Sequence, residues 1–316
     1  MMTLTRRTAL AGLAVATLPG TPAFAGALSP TAPDGPGPLP GRLVDMGDMA
    51  SAHAKARRVT VWLPPDYDAS QDRHAVLYMH DGQNLFDPAT AYGGQTWGVG
   101  QHLTRLMAAG TVKPTMVVGI WNTDLRSQEY APNLDGRLPA ELQGLAGSPL
   151  SDGYLRFVVE ELKPAIDARF RTRPARADTV VMGSSMGGLI SLYALCRYPQ
   201  VFGGAGALST HWLVSTQGDL VNAHDPRLDR VAALFRDYLR DRLPRPGDGK
   251  VYFDHGTINL DSLYGPYQDK VDAQMRAQGY REDVDFMTRV YPGADHNEAS
   301  WRARLDVPLG FLLAGA

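Results

Sequence analysis

The chain has 316 residues, with 31 basic and 33 acidic side chains and a formal net charge of −2. No basic block stands out, which excludes the electrostatic footprint of a nucleic-acid-binding protein. The single cysteine, Cys196, excludes an intrachain disulfide framework. Without a Cys/His cluster of metal-ligand spacing, neither a metal nor any other cofactor is expected.

In chain order, the first segment reads as an address rather than as fold. Arg6 and Arg7 precede a short apolar run from Ala9 to Leu18, and Ala23-Phe24-Ala25 supplies an A-x-A cleavage site. This pattern predicts a twin-arginine signal over 1–25 and a periplasmic or secreted product with no membrane span after cleavage. Residues 26–41, mostly Pro, Gly and Ala, read as a flexible leader. The folded body is expected over 42–316 as one domain.

Within it, short apolar runs alternate with helix-like segments. Strands are predicted at Arg57–Leu63, Ala75–His80, Met116–Trp121, Thr179–Gly183, Ala205–Ser209, Lys250–Asp254 and Asp285–Tyr291. Helices are predicted at Trp97–Ala109, Tyr154–Phe170, Met186–Tyr198, Leu228–Leu243, Tyr267–Gln278 and Glu298–Leu313. In the fourth of these, Val231, Leu234, Phe235, Tyr238 and Leu239 recur at three- and four-residue spacing and make one apolar face. Strand–helix alternation of this kind predicts an α/β fold with a mostly parallel central sheet and helices on both faces. Such sheets place their chemistry beyond the carboxyl ends of the strands.

At one such end stands Gly183-Ser184-Ser185-Met186-Gly187, the G-x-S-x-G pattern of a nucleophile elbow. A chain that leaves a strand and enters a helix within a few residues needs small neighbours two positions either side of the serine. The frame centred on Ser185 satisfies this, whereas Ser184 would have Met182 and Met186 at those positions. A serine hydroxyl needs a base, and histidine titrates in the useful range. His80, His211 and His255 also lie at strand ends, but His296 alone follows both the last strand and every candidate acid. The acid should orient that imidazole. Asp261 in the loop after Lys250–Asp254 suits the reach, and Asp254 at the strand end is the alternative.

The oxyanion hole is expected from the N–H of Met186 and, from the loop after Ala75–His80, the N–H of Gln83. The second assignment competes with a plain Gly turn. Trp121, Arg126 and Trp212 follow strands and are candidates to border a substrate pocket. Arg126 could instead pair with Glu129, and either Trp could pack near the rim.

These stretches together resemble the putative esterase family of α/β-hydrolases, most of all its enterochelin esterase-like branch. The family includes enterochelin esterases, esterase D-type S-formylglutathione hydrolases, feruloyl and acetyl-xylan esterases and mycolyltransferases. The resemblance is carried by Tyr78-Met79-His80-Asp81-Gly82-Gln83-Asn84-Leu85-Phe86-Asp87, by Arg126 with Glu129-Tyr130-Ala131-Pro132-Asn133, and by Gly183-Ser184-Ser185-Met186-Gly187-Gly188. It extends to Gly293-Ala294-Asp295-His296-Asn297-Glu298 with Trp301. It implies an α/β-hydrolase fold, Ser185 as nucleophile and His296 as base. The expected activity is hydrolysis of a small-molecule or glycan carboxylic ester through an acyl-serine intermediate. Acyl transfer to a sugar or lipid on the same fold, or binding without catalysis, are the competing readings.

Overall fold

The structure, a computed structural model, describes residues 37–139, 142, 148–214, 221 and 225–315. The predicted signal and all but the end of the predicted leader lie outside the described residues. At the leader's end, Trp62 Nε1 donates to the carbonyl of Pro40 at 2.7 Å, and Leu39 packs on the core. A tryptophan on the neighbouring strand gives this Pro-rich stretch an anchor.

Among the described residues the sheet has eight strands in the order β1-β2-β4-β3-β5-β6-β7-β8. These are β1 Arg42–Met49, β2 Arg57–Leu63, β3 Ala75–His80, β4 Thr115–Ile120, β5 Thr179–Ser184, β6 Gly204–Leu208, β7 Lys250–Gly256 and β8 Phe286–Tyr291. From β4 to β8 all neighbours pair in parallel, whereas β2 is antiparallel to both β1 and β4. The sequence reading omits β1. Its Asp45, Gly47 and Asp48 break the apolar run, a register shift falls between Asp45 and Asp48, and the strand lies half-exposed at the sheet edge. Charge and a bulge are what protect such an edge from pairing with another chain.

Both faces of the central strands are buried, so alternate side chains serve two cores. Val76 and Tyr78 of β3 join Val181, Ala205 and Phe253 on one side, while Leu77 and Met79 join Val180, Met182 and Tyr252 on the other. The first core is covered by α5 Met186–Arg197, α6 Pro226–Arg242 and α7 Gly265–Ala277. The second is covered by α1 Val99–Ala108, α8 Glu298–Arg304 and α9 Asp306–Leu312. Between α1 and α5 lie α2 Arg126–Tyr130, α3 Ser151–Arg156, a π-helical stretch Phe157–Leu162 and α4 Lys163–Arg169.

Two expected helices are divided. The C-terminal one breaks between α8 and α9, where Pro308 cannot donate to the carbonyl of Arg304. The wider π turn precedes Pro164, which likewise removes the N–H that would bond Glu160.

Candidate active site

The register brings Ser184, Leu208 and Asp254 into one row across β5, β6 and β7. One residue beyond that row lie Ser185 and Ser209. The Ser185 N–H donates to the Leu208 carbonyl at 2.9 Å, and the Ser209 N–H donates to the Asp254 carbonyl at 2.9 Å. The loops after β3, β5, β7 and β8 therefore open on the same edge of the sheet.

Ser185 occupies φ 58°, ψ −124°, a conformation that side chains other than hydrogen rarely adopt. It stands at the turn between the end of β5 and the start of α5. The turn is so tight that a Cβ on Gly183 would lie 2.8 Å from the backbone of Gly187. The partly exposed serine caps α5, whose first residue is Met186. As the first helical residue, Met186 has an N–H with no acceptor inside the helix, and the helix dipole favours negative charge there.

His296 follows β8. Its Nδ1 lies 2.6 Å from Oδ1 of Asp261, and its ring stands edge-on to Tyr264 and Trp301 at 5.7 and 5.1 Å between centroids. The two rings restrict rotation of the imidazole. Asp261 Oδ2 accepts from Gly256 N–H and from Ser209 Oγ, both at 2.6 Å. Burial pushes the Asp261 carboxyl up, but the hydrogen bonds and charge of His296, with those from Ser209 and Gly256, outweigh it and hold the group below the usual carboxylate range. Gly256 must be glycine, since a Cβ there would lie 2.0 Å from the Ala294 carbonyl oxygen.

Asp254, the alternative acid, points elsewhere. Its carboxylate takes Nη2 and Nε of buried Arg304, at 2.9 and 3.0 Å, together with the Ser209 N–H and the Tyr252 hydroxyl, each at 3.0 Å. The other strand-end histidines are likewise committed. His80 Nδ1 meets the Tyr154 hydroxyl at 2.7 Å, His211 Nδ1 the Tyr264 hydroxyl at 2.7 Å, and His255 Nδ1 the Gly256 carbonyl at 2.6 Å. Burial holds His80 down to about 3, so it remains neutral. A chain of contacts runs from Ser185 to His296: the His211 N–H donates to the Ser185 carbonyl at 3.3 Å, and Tyr264 touches both histidine rings.

The loop after β3 is braced by Asp81, which sits at φ 55° and receives Arg126 through Nε and Nη2, each at 2.7 Å, and Asn122 Nδ2 at 2.6 Å. Arg126 is thus a brace for this loop, with Tyr130 under its guanidinium at 5.1 Å. Glu129, the alternative partner for Arg126, holds buried Arg57, at 2.9 Å for one of its two bonds. Gln83 follows Gly82 in the same loop, its carbonyl accepting from Thr90 Oγ1 at 2.7 Å and its side chain from the Asn122 N–H at 3.3 Å.

Trp121 is half-buried and lines a cavity of about 170 Å³ together with Phe86, Gly82, Thr60, Arg58 and Asp87. Trp212 contributes to the lining of a small pocket with Asp229, Arg236, Tyr267 and Lys270. It is 1% exposed and packs on Phe235 and Phe253 at 6.0 and 6.1 Å. Sequence reasoning overlooked Ser209 and Arg304 as groups around the carboxylate. The available signals were a small polar residue ending a buried strand and, of the two arginines Arg302 and Arg304 in the terminal helix, the one followed directly by leucine.

The family model described as Putative esterase matches residues 51–312. An uncharacterized protein YbbA of Bacillus subtilis is 25% identical over 167 residues, 52% of this chain and 62% of that protein. A siderophore enterobactin esterase of Emericella nidulans is 30% identical over 146 residues, 43% of this chain and 45% of that protein. The chain therefore spans about half the length of these curated relatives. Among solved structures, a ferulic acid esterase superposes with a TM-score of 0.62 at 20% identity, covering 87% of this chain and 98% of that one. The fold is that of the α/β-hydrolases.

Proposed function

The chain belongs to the putative esterase family, and we propose that it is a serine carboxylesterase acting through an acyl-serine intermediate on Ser185. The observation that carries this reading is the 2.6 Å contact between His296 and Asp261, on the sheet edge where Ser185 holds its elbow conformation. With Nδ1–H donated to Asp261, His296 presents an unprotonated Nε2 as base. Nε2 takes the Ser185 proton as Oγ attacks the ester carbonyl. The N–H groups of Met186 and Gln83 receive the oxyanion. Collapse expels the alcohol, which takes the proton from His296, and water then repeats the sequence on the acyl-enzyme.

The substrate in this reading is a small-molecule or glycan ester. Support comes from relatives named for enterobactin and ferulic acid and from the Trp121 and Phe86 cavity beside the Gly82 loop. The reading extends to export: Arg6-Arg7 and Ala23-Phe24-Ala25 frame a twin-arginine signal. No helix among the described residues is long and apolar enough to cross a membrane.

A fluorophosphonate probe tests the chemistry. One adduct is expected on Ser185, with p-nitrophenyl acetate hydrolysis lost in Ser185→Ala while the fold is retained. An unlabelled, folded wild-type protein beside a labelled control hydrolase would falsify the assignment. Replacing Arg6 and Arg7 by lysine should leave the protein in the cytoplasm; undiminished export would remove the localisation claim.

A further inference from the structure

Ser209 makes more contacts than a serine ending a strand needs. Its side chain is fully buried, and its Oγ has three partners: Asp261 Oδ2 at 2.6 Å, Trp301 Nε1 at 2.9 Å and Arg304 Nη2 at 2.8 Å. A hydroxyl has one proton and two lone pairs. The indole and guanidinium nitrogens can only donate, so both lone pairs are taken and the proton has one place to go, the Asp261 carboxylate. The backbone at Ser209 is held at φ 43°. A non-glycine residue keeps such a conformation only where its surroundings over-determine it, as the N–H bonds to the carbonyl and carboxylate of Asp254 do here.

Arg304 stands behind this hydroxyl. It is 4% exposed, bound at two nitrogens by Asp254, and lies 3.8 Å from Asp261 Oδ2. The Asp254–Arg304 pair therefore presents a neutralised but polarising donor set to the far oxygen of Asp261, while the near oxygen faces His296.

We propose that Ser209 is a positioning residue that, polarised by Arg304, fixes the rotamer of Asp261 and draws part of its negative charge away from His296. This rests on the reading of Asp261 and His296 as acid and base. Two consequences follow from one bond. The carboxylate cannot swing from Nδ1, and the imidazolium formed during the reaction is stabilised less than by an undivided carboxylate, so the imidazole remains an available base to lower pH. The other ionisable or polar groups around His296 are Asp295, whose Oδ1 accepts the His296 N–H, Tyr264 against the ring, and Glu298 on α8.

The test is the pH dependence of p-nitrophenyl acetate hydrolysis by the full chain, with fluorophosphonate labelling run in parallel. Ser209→Ala should lower kcat about 10- to 100-fold, the scale of one hydrogen bond to a charged group, with KM unchanged. Its acid limb should move to higher pH. Tyr252→Phe removes the 3.0 Å bond at the far end of the network; it should reduce stability but leave the acid limb in place. Ser209→Cys fills the site and donates weakly, so it should move the limb in the same direction by less, and it carries the test if the alanine variant does not fold. A wild-type acid limb and kcat in the folded variants overturn the proposal. An unlabelled wild-type enzyme instead overturns the assignment of Ser185 and leaves the role of Ser209 without a reaction to serve.

Discussion

The Asn84 amide donates to Oε1 of Glu298 at 3.0 Å, joining residues 214 positions apart in the chain. Asn84 lies in the loop after β3 that carries Gln83, and Glu298 opens α8 two residues after His296. One buried hydrogen bond thus ties the proposed oxyanion loop to the loop bearing the proposed base. Asn84 also receives the Tyr92 N–H on its other side-chain atom at 3.0 Å. Asn84→Ala should therefore cost about 1–3 kcal/mol of stability and lower kcat through loosened loop geometry. Thermal melts and steady-state kinetics check both, and an unchanged kcat removes the clasp from the mechanism.

Glu298 itself gives a pH prediction. Burial raises its carboxyl above the usual range, and nearby Asp81 adds to the effect, while Arg126 and His296 oppose it. A raised carboxyl favours the protonated form in the folded state. Its stabilising contribution is full below the unfolded pKa and is lost as pH rises through the higher folded value. Glu298→Gln keeps an acceptor for Asn84 and removes that loss. The melting temperature of the variant should exceed wild type at neutral pH, with the gap closing as pH falls through the carboxylate range.

The two aspartates separate by what their loss does. Asp261→Asn should leave the protein folded and lower kcat by about 10⁴-fold, since an amide cannot hold the reactive tautomer. Asp254→Asn removes the counter-charge of buried Arg304 and should cost about 3–5 kcal/mol of stability. Asp261 also contributes to acid sensitivity. Its carboxyl is held low, so its stabilisation is present above the unfolded pKa and disappears as pH falls through the folded one. The acid limb of stability should therefore be shallower in Asp261→Asn, as read by urea titrations at several pH values.

How legible these features are in the sequence depends on how local their causes are. β2 and β3 have the predicted bounds because strands buried on both faces must read as continuous apolar runs. The Ser185 elbow is equally local, since Gly183, Gly187 and the turn lie within a few residues. β1 is hidden because an edge strand is marked by the charges that protect it. Which of Asp254 and Asp261 faces His296 is not local: β7 continues two residues past Asp254, and Arg304, 50 positions away, claims the strand-end carboxylate.

Arg57 and Glu129 form a buried ion pair with side chains 0% and 1% exposed, stacked under Tyr154 and Phe157. Removing one partner leaves an uncompensated charge, so Arg57→Met alone should cost about 3–5 kcal/mol. Adding Glu129→Leu should recover most of that loss. A double variant no more stable than Arg57→Met would show that the pair is held by interactions other than its own.

The backbone at Ser185 can be tested apart from its hydroxyl. Alanine and glycine both remove Oγ, but only glycine occupies φ 58°, ψ −124° without steric conflict. Ser185→Ala should therefore be close to wild type in stability, whereas Ser185→Gly gains the relief of strain, about 1–2 kcal/mol, less the entropy that glycine adds to the unfolded chain, about 0.5–1 kcal/mol. A small net rise in urea midpoint for the glycine variant over the alanine variant, with neither labelled by the probe, means that the fold holds this serine in place at a cost in stability. A glycine variant less stable than the alanine one would mean that the elbow is relaxed and that its geometry comes from the packing of α5 against β5 alone.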